Sequence, residues 1–529
     1  MNSVRKNLVM SVLSGILLSI PFLLPHTGLI LLFAFVPLLW LEQAFTANGT
    51  KGCWKYYALT FVIWNALTVF WVCYSTLAGG LFAIFGNAFQ MFVIFAIFRR
   101  VKKWFLKKGK NDVLAYIFLA VLWIAWELFY FDAEISFPWL VLGNGFATNV
   151  SLVQWYEVTG VLGGSLWIWI INLMIFFFFR QKITKRKVIL LGILVVVPII
   201  ISIIRFYTYK EPERPVEVVV VQPNIDPWKE KYSTMTQEEQ DRKILSLARD
   251  QITASTRYVI APETSVHEIV LGNYYSSSSV VLYRQLVKEY PGTAFIFGAN
   301  TIGFYPASSV KPTPSARPFR DRWYEVYNSA VQLDTTDRIQ IYHKSKLVVG
   351  SEKMPYIDMF PFIEKLSLDL GGTTGTLGTQ TERTVFTRKD SRETTGVAIC
   401  YESVYGEFFT GYVKNGANFM TVITNDGWWR NTPGYRQHVS YASLRAIETR
   451  RSVAHSANTG ISALINQKGE RLIQTQWWEP VAFNGTINLN DTLTFYVKHG
   501  DYVGRISVVV MLLLGLYLLI CALPFRKKG

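Results

Sequence analysis

Eight apolar runs decide most of what this chain can fold into: residues 7–24, 28–46, 57–77, 80–98, 113–131, 161–179, 187–206 and 504–524. Each is close to the roughly 20 mainly apolar residues that a helix needs to cross a bilayer. In hydrocarbon only helices and closed barrels satisfy every backbone polar group. A bundle of about eight membrane helices is therefore expected. The first run has the basic start of a signal peptide, but no small-residue cleavage site precedes the second run, so it is read as retained.

The charge supports the same reading. The chain carries 53 Lys and Arg against 37 Asp and Glu, a net charge of +16, which taken alone invites a nucleic-acid partner. Its placement argues otherwise. Nineteen of the basic residues lie between or beside the apolar runs, and the region 207–503 is nearly neutral. Loops 47–56, 99–112 and 180–186 and both tails hold Lys or Arg, whereas loops 25–27, 78–79 and 132–160 hold none. With eight crossings, the positive-inside rule puts both termini in the cytoplasm and residues 207–503 outside it. No nucleic-acid partner is expected.

Region 207–503 has another character. Short β-rich runs recur at 216–221, 258–261, 294–297, 328–333, 395–400, 419–424 and 453–456, with helical patterns at 236–253 and 434–450. The pattern predicts an α/β domain with buried strands. Residues 305–322, rich in Pro, Ser and Arg, read as a surface loop. The expected organisation is residues 1–206 for seven membrane helices, 207–503 for an extracytoplasmic domain, and 504–529 for the eighth helix and a cytoplasmic tail. Of four cysteines, Cys53, Cys73 and Cys521 lie in or beside apolar runs and only Cys400 in the polar region, so that region has no internal disulfide. No CxxC pair or His-rich tract suggests a metal, and no cofactor is expected.

Chemistry-bearing residues sit at the ends of the expected strands, where an α/β fold usually builds its site. Glu263 closes YVIAPET, Lys344 follows RIQIYH, Cys400 closes TGVAIC ahead of Tyr401 and Glu402, and Asn425 and Asp426 close NFMTVITND. A carboxylate can take the thiol proton, while an ammonium favours the thiolate and can hold an oxyanion. Taken one at a time, a strand-end cysteine also fits a buried small hydrophobe, and Lys344 a solvated charge. His267, His343, His438 and His455 leave a Cys–His dyad open.

The ordered set resembles the nitrilase, or carbon–nitrogen hydrolase, superfamily. Taken with the membrane spans, it is similar to the apolipoprotein N-acyltransferase family over nearly the whole chain. The stretches that carry the likeness are FPWLVLGNG (137–145), Gln154, Glu157 and Gly160 up to Asn172, QPNI (222–225) with Trp228, APET (261–264), YNSA (327–330), YHKSKLV (342–348) with Glu352, ICYE (399–402), TND (424–426), and RAIETRR with SANTGIS (445–462). The resemblance implies an αββα sandwich, Cys400 as nucleophile, Glu263 as general base and Lys344 as oxyanion-holding lysine. Lys346 is close by, but the Y-x-K and K-x7-E spacings favour Lys344. Glu352 would position the lysine and substrate, Tyr401 and Glu402 would line the site, and Trp228, Asn425 and Trp428 would support it.

The implied reaction moves an acyl chain from a phospholipid, through a Cys400 thioester, to the α-amino group of a lipoprotein's diacylglyceryl cysteine. Two stretches depart from the family pattern: Val349, Gly350 and Ser351 where the family has P-F-G, and Gly427, Trp428, Trp429 and Arg430 where it has A-W-F-G. Trp428 and Trp429 fit either the bilayer interface or core packing. Glu127, inside the fifth span, must face protein or water. Two rivals remain: a membrane-anchored amide hydrolase on the same scaffold, and a non-catalytic membrane binding protein.

Overall fold

In the computed structural model, which describes residues 3–180, 183–307, 310–356, 359, 375–389 and 391–522, the chain divides into two compact units. One gathers the residues up to Phe70, Gly80–Arg205 and the chain from His499 on; the other gathers Trp71–Gly79 and Phe206–Lys498.

Among the described residues, seven helical segments are long and apolar enough to cross a membrane: Val4–Leu23, Gly28–Ala47, Leu77–Lys107, Val113–Tyr130, Tyr156–Arg180, Lys185–Thr208 and Tyr502–Cys521. The sequence suggested about eight. The difference lies at 57–77, where the helix is Trp54–Val69, 16 residues long. Trp71 stops the run. It is buried in the second unit, its Nε1 donates to Gln437 Oε1 at 3.1 Å, and its ring lies 4.5 Å from that of Trp429. Residues 523–529 of the basic tail lie outside the described residues.

An aromatic cluster of Phe35, Trp64, Phe95, Trp123 and Trp169 fills the middle of the bundle, with Phe35 and Trp169 stacked at 4.4 Å. Two cations assigned by sequence to a basic loop are instead inside the helix Leu77–Lys107 and buried. Arg99 and Lys102 both pair with Glu42, because a buried charge needs a counter-ion.

Glu127 is buried, as expected of an intramembrane carboxylate. Its Oε1 accepts the indole N–H of Trp123 at 3.1 Å and the backbone N–H of Leu142 at 2.9 Å. It thereby holds the short turns Pro138–Leu140 and Leu142–Phe146. Gly143 in that stretch leaves no room for a side chain: a Cβ there would lie 2.0 Å from the Val161 carbonyl oxygen.

The second unit is an αββα sandwich. Its strands are β1 Pro215–Gln222, β2 Thr256–Ile260, β3 Val266–Val270, β4 Ala294–Phe304, β5 Arg317–Phe319, β6 Arg322–Leu333 and β7 Gln340–His343. They continue with β8 Val385–Thr387, β9 Thr394–Ile399, β10 Phe419–Thr424, β11 Val453–Ala457, β12 Ala463–Ile465, β13 Arg471–Gln474 and β14 Val481–Asn488. Among the described residues one sheet runs β14-β1-β2-β4-β6-β5, with β3 on β4 and β7 on β6, and the other runs β13-β12-β11-β10-β9-β8.

The parallel strands β1, β2, β4, β9, β10 and β11 were legible as apolar runs because they are largely buried on both faces, and so was the end of β6, antiparallel to β4. Helices Gln237–Arg249 and Ser278–Glu289 cover the first sheet through Ile244, Leu245, Val280, Tyr283 and Leu286. Gly406–Lys414 and Pro433–Thr449 pack against the second. The sheets face each other, with the Tyr258 and Phe419 rings 5.1 Å apart. The stretch 305–322, expected to be a loop, contains β5, which pairs with the start of β6; residues 308 and 309 lie outside the described residues.

Candidate active site

Three strand ends converge. Glu263 follows β2, Lys344 follows β7 and Cys400 follows β9. The close approach of β4 sets Glu263: a Cβ on Gly298 would lie 2.5 Å from Glu263 Cα, and Gly298 N–H donates to the Pro262 carbonyl at 3.0 Å. Thr264 then turns with φ +51°. Cys400 has φ +50°, a left-handed conformation that costs a residue with a Cβ about 1–2 kcal/mol.

The lysine bridges two carboxylates. Lys344 Nζ donates to Glu263 Oε1 at 3.0 Å and to Glu352 Oε1 at 2.9 Å. Asn328 Nδ2 donates to the same two oxygens, at 2.7 and 2.9 Å. Glu263 Oε2 accepts the Asn425 backbone N–H at 3.1 Å, and Glu352 Oε2 accepts that of Val348 at 2.8 Å. Two carboxylates around one ammonium leave a net negative set.

The electrostatics follow from burial and that charge balance. Burial, then Glu263, push the Cys400 thiol well above its ordinary range, and Lys344 only partly offsets them. For Lys344, burial is the largest single influence and works against the charge, but Glu263, Glu352 and Cys400 together outweigh it and push its pKa well up. The resting site thus favours a neutral thiol beside a charged lysine.

The other residues singled out by sequence fall into different places. Glu402 accepts Tyr342 Oη at 2.6 Å, Ser345 N at 2.6 Å, Ile399 N at 2.8 Å and Tyr412 Oη at 3.0 Å. It ties the Lys344 loop to the end of β9, and burial pushes its pKa up. Tyrosines and backbone amides, not a salt bridge, hold it. Tyr401 is buried edge-on to Tyr405, 5.2 Å between rings.

Asn425 is buried, and its Oδ1 accepts Asn458 Nδ2 at 3.1 Å. Trp228 is 42% exposed and meets Trp428 edge-on at 5.0 Å. The two tryptophans in question thus part company: Trp428 joins the exposed Trp228, and Trp429 packs on buried Trp71. In the first departing stretch, Gly350 N–H bonds the Lys353 carbonyl at 2.8 Å, closing a short turn ahead of Glu352.

Several neighbours were not foreseen as site residues. Asn328 was visible only inside the YNSA stretch; its antiparallel register opposite Asn300 is what aims it. Lys231 is buried, with Nζ 2.6 Å from Thr264 Oγ1 and 3.4 Å from the Glu263 carbonyl, and burial pulls it down to about 7. One lysine among many gives no sequence signal of this kind. His438 had been weighed as half of a Cys–His dyad, but it meets Cys400 at the backbone carbonyl, 3.1 Å from Nε2. His343 stacks on Tyr327 at 4.1 Å and bonds Ser329, and burial lowers it to about 4.

Residues 14–174 match the family model for the apolipoprotein N-acyltransferase N-terminal domain, and residues 313–493 match that for carbon–nitrogen hydrolases. Among curated proteins, the chain is 28% identical to the apolipoprotein N-acyltransferase of Chlorobaculum tepidum, covering 95% of both sequences. It is also 28% identical to that of Thermotoga maritima, covering 95% of this chain and 92% of the relative. Among solved structures, Saccharomyces cerevisiae Nit3, a member of the nitrilase superfamily, aligns over 53% of this chain and 92% of its own at 14% identity, with a TM-score of 0.38.

Proposed function

Because the chain is an enzyme of the apolipoprotein N-acyltransferase family, we propose that it carries an acyl chain from a membrane phospholipid, through a Cys400 thioester, to the α-amino group of a lipoprotein's N-terminal diacylglyceryl cysteine. The observation that carries this reading is the Lys344 ammonium bridging Glu263 and Glu352 while in electrostatic contact with Cys400.

The first half-reaction starts from a neutral thiol. Glu263 Oε1 already accepts two donors, whereas Oε2 accepts a single backbone amide, so Oε2 takes the thiol proton as sulfur attacks the ester carbonyl. Transfer in step with attack suits a thiol that burial keeps protonated. The tetrahedral oxyanion forms beside Lys344, whose charge is fixed by its carboxylates and needs no reorganisation. The carbon–oxygen bond breaks, the lysophospholipid alkoxide recovers the proton from Glu263, and the acyl group stays on sulfur. In the second half, the neutral amine attacks the thioester, Glu263 accepts its proton, and the sulfur leaves and is reprotonated.

Residues 207–503 are taken as the extracytoplasmic catalytic part, with 1–206 and 504–529 as membrane helices and tail in a bacterial inner membrane. The charge pattern supports this topology. Basic loops 47–56 and 99–112 reach the same face only if Trp54–Val69 also crosses, despite its 16 residues. Tethering the site to the bilayer raises the effective concentration of two lipid substrates.

The test is purified enzyme with labelled phospholipid and a diacylated lipopeptide. N-acylated lipopeptide and lysophospholipid in equal amounts are expected. Free fatty acid without N-acyl product would instead identify a hydrolase.

A further inference from the structure

Against the Cys400 backbone lies a second buried polar group. His438 Nδ1 is 2.9 Å from Asp426 Oδ1, and His438 Nε2 is 3.1 Å from the Cys400 carbonyl oxygen and 3.0 Å from Ser403 Oγ. Ser403 Oγ itself donates to the Cys400 carbonyl at 2.8 Å, and Thr424 Oγ1 donates to Asp426 Oδ1 at 2.6 Å. His438, Asp426, Ser403 and Thr424 are fully buried.

The ring's neighbours favour its charged form. A carbonyl oxygen only accepts, and an ionised carboxylate only accepts. With the Ser403 hydroxyl donating to the Cys400 carbonyl, both ring nitrogens face acceptors, an arrangement that suits an imidazolium. Its surroundings agree. Burial works against the charge, but Asp426, the Cys400 carbonyl and Glu263 outweigh it and raise the His438 pKa.

The groups facing this pair are few and of known sign. Asp426 lies on the turn after β10, Glu263 follows β2, and His455 comes from β11, its ring 5.7 Å away. His455 adds no charge of its own, because burial lowers it to about 3. The Trp429 ring closes another side at 5.7 Å. Facing Cys400 itself are Glu263, Asp426 and Lys344.

We propose that His438 is a positioning residue for the nucleophile: as an imidazolium held by Asp426, it clamps the carbonyl of the left-handed Cys400 and supplies a second positive charge at the Cys400 backbone. The site as otherwise drawn is too negative for a cysteine. Lys344 is shared between Glu263 and Glu352, so one carboxylate remains unbalanced, and Asp426 adds its own charge facing the thiol. A cation paired with Asp426 moderates that excess when sulfur takes up negative charge. The same contact spreads a backbone strain over two donors, His438 and Ser403, at the residue that must stay still while its side chain reacts. Neither role needs His438 to touch the sulfur, so it is not the base of a Cys–His dyad.

The inference rests on Cys400 being the reactive thiol, and the experiment separates the two claims. In full-length protein with Cys53, Cys73 and Cys521 replaced by alanine, iodoacetamide alkylation of Cys400 is followed from pH 6 to 10. The parent is compared with His438→Gln and His438→Asn, two neutral amides of different length that can still donate a hydrogen bond, each checked for parental circular dichroism and melting. The expected result is a rate at pH 8 at least fivefold below the parent, with the pH midpoint moved upward. Ser403→Ala, which removes a donor but no charge, leaves the midpoint in place. A folded neutral variant with the parental midpoint and a rate within twofold would overturn the role of His438. A parent whose Cys400 resists alkylation at every pH would instead defeat the nucleophile reading on which this one stands.

Discussion

As the proposed nucleophile, Cys400 attacks a carbonyl from a place where burial and a carboxylate both oppose its ionisation. That makes the base indispensable and gives it a signature. Glu263→Gln removes the proton acceptor, and acyl transfer should fall by about 10²–10⁴. It also removes the charge that holds the thiol pKa up, so the residual rate should climb with pH as the thiolate forms. A pH–rate profile of the variant checks this, and a flat residual rate would contradict it. Glu402 behaves differently. It bridges two tyrosines and three backbone amides. Glu402→Ala leaves buried donors unpaired at about 1–3 kcal/mol each, so it should lower the melting temperature by several degrees. The acid, the lysine and the thiol were legible because each closes a β-rich run in a recognisable stretch. His438 and Lys231 were not, because their meaning lies in which buried atoms they reach across the fold. Glu402 was legible as a position but not as a brace, since five donors from three separate segments define it.

At the scale of elements, the turns 138–146 are held to the helix Val113–Tyr130 by the Glu127 carboxylate and fit only because Gly143 lacks a side chain. Gly143→Ala must displace the backbone around Val161, and overpacking of that kind costs about 1–3 kcal/mol. A melting point lowered by several degrees in detergent is expected, and an unchanged one would show that the two segments part easily. The membrane helices were legible from apolar run length, with the exception at 57–77. There hydropathy runs on through Trp71, but the tryptophan is buried against Trp429 and Gln437 instead. Run length alone cannot tell a lipid-facing tryptophan from one buried in protein. The parallel core strands were visible as continuous apolar runs. The edge strands β5, β13 and β14 were not, because their pairing partners, not their own periodicity, make them strands.

For the molecule as a whole, acid should be destabilising in a defined window. Burial lowers His455 to about 3 and His343 to about 4. Between those values and the ordinary 6.5, the unfolded chain binds protons that the folded one refuses, so stability falls as pH drops from about 6.5 towards 4. Melting temperature against pH reads it directly, and a melting point constant across that window would contradict it. The proposed function comes down to one chemical idea: a covalent acyl group parked on a single sulfur between two lipid substrates. Mass spectrometry of the purified enzyme after exposure to phospholipid alone tests that idea most directly. The account predicts one acyl chain on Cys400, removable by neutral hydroxylamine and absent from Cys400→Ala. An unmodified Cys400 in an enzyme that nonetheless acylates lipopeptide, or an acyl group that persists in Cys400→Ala, would contradict it.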